Sequence, residues 1–131
     1  MSAEDRLIDA QGLWAAGRRE GALLLAMVAL AASARRAHPG TTDRDAFVTF
    51  LKSRHAWTIS VEFRGDQWDL DALFYKWLRC ELVHEAGLPV DIRIDNSLTG
   101  LGVRAGGAPE FLLLIAPGWF DYLASTARAV P

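Results

Sequence analysis

The stretch at residues 21–34, GALLLAMVALAASA, decides the fold of this chain. Large apolar side chains follow one side of the predicted helix, and small alanines follow another. Small side chains let a neighbouring helix approach closely, so the segment is predicted to be the central helix of a bundle. Arginine pairs bracket the segment, and it is shorter than the ~20 apolar residues that a membrane-spanning helix needs. We therefore predict a buried core helix, extending over residues 20–37, and no membrane partner.

Two further helices are predicted around this segment. Residues 4–16 carry acidic side chains in their first turn, where the helix dipole favours them. Thr42, followed three residues later by Asp45, resembles an N-terminal cap, and apolar residues then recur at helical spacing to about residue 54. These features predict a second helix before the central one and a third after it.

The second half of the chain is predicted to contain two more helices. One starts near Asp66 or Asp69 and ends at residues 87–89, Gly-Leu-Pro. Pro109 opens the other, and the Pro-Gly pair at residues 117–118 predicts a kink or a division into two pieces.

Alternation of apolar and polar residues predicts a small sheet beside the helices. The period changes to two at residues 57–63 and again at residues 90–94, as in half-buried strands. Turn residues follow, and Val103 with Arg104 completes a predicted hairpin. The predicted fold class is mainly α, a four- to five-helix bundle with a small antiparallel β-sheet addition, in a single domain over residues 1–131.

Composition restricts the kind of protein that this chain can be. The 131 residues are 51% hydrophobic, which suits one globular core. The single cysteine excludes an internal disulfide and fits a reducing compartment, so we predict a cytoplasmic protein. The net charge of −2 argues against coating of nucleic acid by bulk electrostatics.

The predicted fourth helix concentrates the groups that can perform chemistry. Its sequence over residues 75–89, YKWLRCELVHEAGLP, contains Arg79, Cys80, Glu81, His84 and Glu85. On an ideal helix, which turns by about 100° per residue, the arginine falls opposite the apolar stripe and the glutamate near its centre. The cysteine and the histidine fall together on one flank.

Each of these side chains has a structural interpretation beside a functional one. Glu81 is interpreted as an internal ion-pair partner of an arginine near the central helix, or as a group that orients the catalytic residues. His84 either caps the helix C-terminus or acts as an acid or base near neutral pH. Arg79 is either solvated or presents its guanidinium to a phosphate. Cys80 is either packing or a thiol activated by the histidine.

No motif for a cofactor or metal accompanies this helix. The glycines near residues 100–107 lie in a hairpin context, which does not suit a phosphate-binding loop. Cys80, Glu81 and His84 lack a second ligand cluster, and His38 and His55 are not at a metal-binding spacing. We predict no metal and no cofactor.

Two segments resemble the HEPN superfamily, the higher eukaryote and prokaryote nucleotide-binding domains. The segment RCELVH at residues 79–84 resembles the signature of an Arg followed four to six residues later by a His near the end of a bundle helix. The segment GRREGALLLAMVALAASARRAHP at residues 17–39 resembles the opening helices of the superfamily. The resemblance covers most of the helical chain, and the predicted strands are additions to it.

The resemblance implies a metal-independent endoribonuclease that works as a homodimer. Many members belong to toxin–antitoxin or other defence systems, and the Arg and His of both subunits meet in one cleft. Arg79 and His84 lie about 140° apart on an ideal helix, so a two-fold axis is what brings the pairs together. The resemblance assigns proton transfer to His84 and phosphate stabilisation to Arg79, and it implies a 2′,3′-cyclic phosphate product.

The remaining site residues and partners follow from the same hypothesis. Glu81, Cys80 and Glu85 are predicted to support the site, and Arg35 and Arg36 are predicted to bind phosphate or RNA. The predicted partners are a second copy, RNA and an antitoxin or other protein. Cys80 stands where the superfamily usually has Asn, Asp or His, which keeps open a non-catalytic module that binds nucleotide, RNA or protein. A third interpretation is a structural dimerisation domain.

Overall fold

The computed structural model describes residues 2–106 and 112–128. Five helices occupy most of that part of the chain. The fourth, α4 (residues 70–85), is continuous through three segments: α-helical Leu70–Leu73, π-helical Phe74–Cys80 and α-helical Glu81–Glu85. The others are α1 Ala3–Ala15, α2 Arg19–Ala37, α3 Asp43–Lys52 and α5 Gly118–Arg128.

The central helix α2 organises the core as predicted. Leu23, Met27 and Leu30 are buried, and α2 packs against each of the other four helices. The Ser33 hydroxyl, also buried, donates a hydrogen bond of 2.8 Å to the carbonyl of Ala127 in α5. This bond satisfies the one polar side chain on the buried face and ties α5 to α2.

The capping signals in the sequence identify the helix starts correctly. Thr42 accepts a hydrogen bond from the backbone N–H of Asp45 at 3.1 Å, which caps α3. Ser2 and Asp5 form a reciprocal capping box at the start of α1. The predicted helices at residues 4–16, 20–37 and 42–54 are confirmed, with ends that differ by one or two residues.

A two-stranded antiparallel sheet precedes α4. Strand β1, Ser60–Phe63, pairs with β2, Asp66–Asp69, through a turn in which Arg64 and Gly65 have φ values of 54° and 86°. The predicted start of the fourth helix at Asp66 is therefore wrong, because residues 66–69 pair with β1. The alternative start is confirmed: the Asp69 side chain accepts from the N–H of Asp71, so α4 begins at Leu70.

A three-stranded mixed sheet forms the other β element. Its strands are β3 Ile92–Ile94, β4 Val103–Ala105 and β5 Leu113–Ile115. The last of them lies in the middle, parallel to β3 and antiparallel to β4. The predicted hairpin of β3 with β4 is wrong, because β5 lies between these two strands.

The predicted last helix begins later than the sequence indicates. Pro109 lies outside the described residues, and the apolar run that follows contains strand β5. A short continuous apolar run fits a buried strand as well as a buried helix, and pairing partners on both sides decide between them here. The predicted break at Pro117-Gly118 is confirmed as the boundary at which α5 starts.

None of the helices within residues 2–106 and 112–128 combines the length and the apolar character needed to cross a bilayer.

Gly118 approaches the backbone of Gly100 more closely than a residue with a side chain can. A Cβ atom at position 118 would lie 2.2 Å from the carbonyl oxygen of Gly100. We expect Gly118→Ala to lower the free energy of unfolding by about 1–3 kcal/mol, because the start of α5 or the facing loop must move. Urea denaturation measures this change.

Gly12 provides the matched control for that substitution. It lies inside α1, and a Cβ there meets nothing within 4 Å. Gly12→Ala is expected to raise the free energy of unfolding by roughly 0.5–1 kcal/mol, as glycine is unfavourable inside a helix. A Gly118→Ala protein as stable as the wild type would contradict the close backbone approach.

Candidate functional site

The π-helical segment of α4 determines where the candidate residues point. Phe74–Cys80 includes Arg79 and ends one residue before Glu81. A π-helix hydrogen-bonds from residue i to i+5, so each residue turns by less than it does in an α-helix. Side chains after this segment are therefore rotated from the positions that ideal α-helical geometry gives them.

A groove of about 630 Å³ runs along α4. Cys80 and His84 both line it, which confirms the prediction that they share one flank of the helix. Arg44 of α3 and Lys76 of α4 bring two cationic groups to the same groove. The remaining lining residues are Trp68, Ala72, Tyr75 and Glu81.

Glu81 does not occupy the centre of the packed stripe, so its predicted placement is wrong. It is half-buried and lines the groove together with Cys80 and His84. Within residues 2–106 and 112–128 it forms no ion pair, so the predicted pairing with an arginine near the central helix is absent there. The rotation introduced by the π-helical segment accounts for the difference.

Asp43, at the start of α3, is contacted by two guanidinium groups and one hydroxyl. Arg35 Nη1 lies 2.9 Å from its Oδ1 atom, and Arg79 Nη2 lies 3.3 Å from its Oδ2 atom. The Tyr75 hydroxyl donates to the same Oδ2 atom at 3.1 Å. Two residues predicted to bind phosphate, one from α2 and one from α4, thus converge on a single carboxylate.

Arg79 is not on an exposed face, so its predicted solvent exposure is wrong. Its side chain is 19% exposed, and its guanidinium lies 6.0 Å from the centre of the Tyr75 ring. Its Nε atom is buried and has no hydrogen-bond partner in the described part of the chain. The prediction treated the helix as isolated, whereas the start of α3 packs against this side of α4.

Tyr75 remains protonated throughout the ordinary pH range. Burial, together with the nearby Cys80 and Asp43 groups, raises the pKa of its hydroxyl to about 12. The neutral phenol therefore keeps its proton for the hydrogen bond to Asp43. Arg35, Tyr75 and Arg79 around Asp43 are called the Asp43 cluster. Because Tyr75 also lines the groove, it connects the groove to this cluster.

His84, Glu85 and Arg36 do not contact Asp43 in the described part of the chain. His84 and Glu85 are exposed at the end of α4, but only the histidine lines the groove. Arg36 is exposed and, among the described residues, does not contact Asp43 as its neighbour Arg35 does. No hydrogen bond joins Cys80 to His84 in the described ranges, so a thiol–imidazole pair is not formed there.

A buried pair between His55 and Asp71 was not predicted. The imidazole Nε2 atom lies 3.0 and 3.2 Å from the two carboxylate oxygens, and the side chains are only 6% and 2% exposed. The ring stacks on Trp57 with 3.4 Å between centroids. Burial raises the pKa of Asp71, and the hydrogen bond from His55 opposes that rise.

This pair lines a small cavity of about 160 Å³ with Lys52 and Asp69. His55 Nδ1 is buried without a partner in the described residues. In the sequence, Asp71 is recognisable only as an acidic residue in the first turn of a helix. That position predicts a favourable interaction with the helix dipole and does not indicate a side-chain partner. Separate segments supply the two groups, so spacing did not reveal the pair.

Comparison with family models, with curated proteins and with solved structures gives no significant match for this chain. Within the described ranges, no three His, Cys, Asp or Glu side chains are grouped as metal ligands would be.

Proposed function

We propose that this protein is a metal-independent endoribonuclease that binds RNA in the groove along α4 and acts as a homodimer. One observation carries the proposal: the groove holds the His84 imidazole together with two cations, Arg44 and Lys76. Cations attract the phosphodiester backbone, and aromatic rings such as those of Trp68 and Tyr75 stack with unpaired bases. The groove is therefore suited to single-stranded RNA.

His84 is the residue proposed to move the proton. It lies in the last turn of α4 and is exposed, so a substrate can reach it. The imidazole accepts the proton of a 2′-hydroxyl whose oxygen attacks the adjacent phosphorus, while a protonated imidazole gives a proton to the departing 5′-oxygen. The products are a 2′,3′-cyclic phosphate and a free 5′-hydroxyl.

Arg79 is proposed to stabilise the negative charge that develops on the phosphorus oxygens. It lies on the Asp43 side of α4, whereas His84 lines the groove. A two-fold arrangement that pairs the ends of two α4 helices supplies the histidine of one subunit to the arginine of the other. Val83, which is 42% exposed beside His84, offers apolar surface for such a contact.

Cleavage of labelled single-stranded RNA in EDTA tests the proposal. We expect wild-type protein to produce 2′,3′-cyclic phosphate ends and His84→Ala to cleave at least about 100-fold more slowly, because the proton-transfer group is removed. His38→Ala is the matched control, since His38 lies at the end of α2 and does not line the groove. Equal cleavage by wild type and His84→Ala would exclude His84 from catalysis.

Sedimentation at micromolar concentration tests the homodimer separately. Wild type is expected to sediment as a dimer, and Val83→Asp is expected to shift it towards monomer with loss of cleavage. A wild-type monomer that cleaves RNA would contradict the shared site.

A non-catalytic RNA-, nucleotide- or protein-binding module is the second candidate. Asp43 already neutralises part of the charge of Arg79, and Cys80 replaces the polar residue usual in the superfamily. Binding of RNA without cleavage by any form of the protein would favour this candidate. In either case we place the protein in the cytoplasm, where RNA and an antitoxin-like partner are accessible to it.

A further inference from the structure

The Asp43 cluster has the donor arrangement of an anion-binding site. Arg35, Arg79 and Tyr75 reach one carboxylate from α2 and α4, at distances between 2.9 and 3.3 Å. Two guanidinium groups this close repel each other unless an anion lies between them. Guanidinium and phenol donors suit the oxygens of a phosphate as well as those of a carboxylate.

The carboxylate can leave this position without loss of the helix that carries it. Asp43 is the first residue of α3, but Thr42 provides the cap by accepting from the N–H of Asp45. Rotation of the Asp43 side chain therefore breaks its three contacts and leaves the cap intact. The site is also accessible, since the side chains of Arg35 and Asp43 are 54% and 33% exposed.

We propose that Asp43 occupies a phosphate subsite, formed by Arg35, Arg79 and Tyr75, and that a phosphate group of the substrate displaces it. Insofar as that phosphate belongs to RNA, the inference rests on the proposed function. Tyr75 lines both this subsite and the groove, so a strand bound in the groove passes next to Asp43. Asp43 then makes the subsite selective among anions, because a weakly binding anion does not displace the carboxylate that already contacts the two guanidinium groups.

Stabilisation by inorganic phosphate tests the subsite independently of RNA. Asp43→Asn removes the competing charge and is expected to show a rise in melting temperature with increasing phosphate, relative to chloride at equal ionic strength. Asp45→Asn is the matched control, because it changes the net charge equally and lies in the same first turn of α3. An equal response of the two variants to phosphate overturns the proposal.

Binding of single-stranded RNA provides the second readout. We expect Asp43→Asn to bind RNA at least about threefold more tightly than Asp121→Asn, which removes an exposed charge from the first turn of α5, away from the groove. Only the Asp43 charge lies between the two guanidinium groups. In the Asp43→Asn background, Arg35→Gln should abolish the phosphate response and Arg36→Gln should leave it unchanged. The proposal is overturned if the phosphate response is lost with both arginine substitutions, or if it is lost with neither of them.

The test remains decisive if Asp43→Asn does not fold. In the wild-type background, Arg35→Gln must then weaken RNA binding at least about threefold more than Arg36→Gln, which removes the same charge from the neighbouring residue. Equal weakening counts against the subsite. A phosphate response in Asp43→Asn with no RNA binding by the wild type would retain the subsite and reject the proposed function. RNA cleavage by the wild type without a phosphate response in Asp43→Asn would retain the proposed function and reject the subsite.

Discussion

Trp119→Ala is expected to lower the free energy of unfolding by about 3–5 kcal/mol, since it removes the largest fully buried side chain. The indole of Trp119 makes edge-to-face contacts with Trp57, Phe74 and Tyr122, with centroid distances of 5.8, 4.9 and 5.5 Å. It therefore joins α5 to α4 and to the segment before β1. Alanine leaves a cavity that three surrounding rings cannot fill without moving.

Urea denaturation of the variants separates packing from hydrogen bonding at this position. Trp119 Nε1 donates to the Gly102 carbonyl at 3.2 Å, and that carbonyl also accepts from the N–H of Ala116 at 2.9 Å. Trp119→Phe loses the first bond but leaves the carbonyl satisfied, so we expect it to retain most of the stability. A Trp119→Ala protein within about 1 kcal/mol of the wild type would mean that this core is not close-packed.

His55→Ala is expected to lower the free energy of unfolding by about 3 kcal/mol, because it leaves the Asp71 carboxylate buried without its partner. The stack of the imidazole on Trp57 is lost at the same time. Asp71→Asn in the same protein should recover part of this loss, as a neutral amide needs no counter-charge. No recovery would show that the loss comes from the stack alone.

The loss in His55→Ala is expected to depend on pH. Burial raises the folded-state pKa of Asp71 above its ordinary value of 3.8, and removal of His55 takes away a group that lowers it. The folded variant thus binds a proton more readily than the unfolded chain. The loss in free energy of unfolding relative to the wild type is therefore largest above the raised pKa of Asp71. It shrinks as the pH falls through that pKa.

Lys52→Ala is the control for this pair. Lys52 forms an exposed ion pair with Asp69 in the same small cavity, so its loss should matter much less. Denaturation curves from neutral to acidic pH compare the two variants. A deficit in His55→Ala that stays constant with pH would contradict an unpaired carboxylate as its cause.

The helical part of the fold was predictable from local chemistry. The apolar and small residues of α2 require burial on most sides, and Thr42 and Asp69 carry the side-chain oxygens that cap the following helices. These signals act over a few residues, so they persist in the sequence however the rest of the chain packs. The strand at Leu113–Ile115 lacks such a local signal, because a short apolar run fits either structure.

The candidate site was predictable only in part. The common flank of Cys80 and His84 followed from their spacing of four residues, and the groove confirms it. The positions of Arg79 and Glu81 were wrong, since the π-helical segment changes the rotation per residue and α3 covers one side of α4. The nuclease chemistry assigned to these residues remains a prediction.

The sequence by itself determined a buried central helix, the caps of its neighbours and the grouping of Cys80 with His84, because each depends on residues a few positions apart. Only the tertiary structure decided that Asp43 joins Arg35 to Arg79, that His55 pairs with Asp71, and that β5 lies between β3 and β4. These contacts unite segments distant in the chain. Their existence depends on how close-packed elements orient one another, which local patterns do not encode.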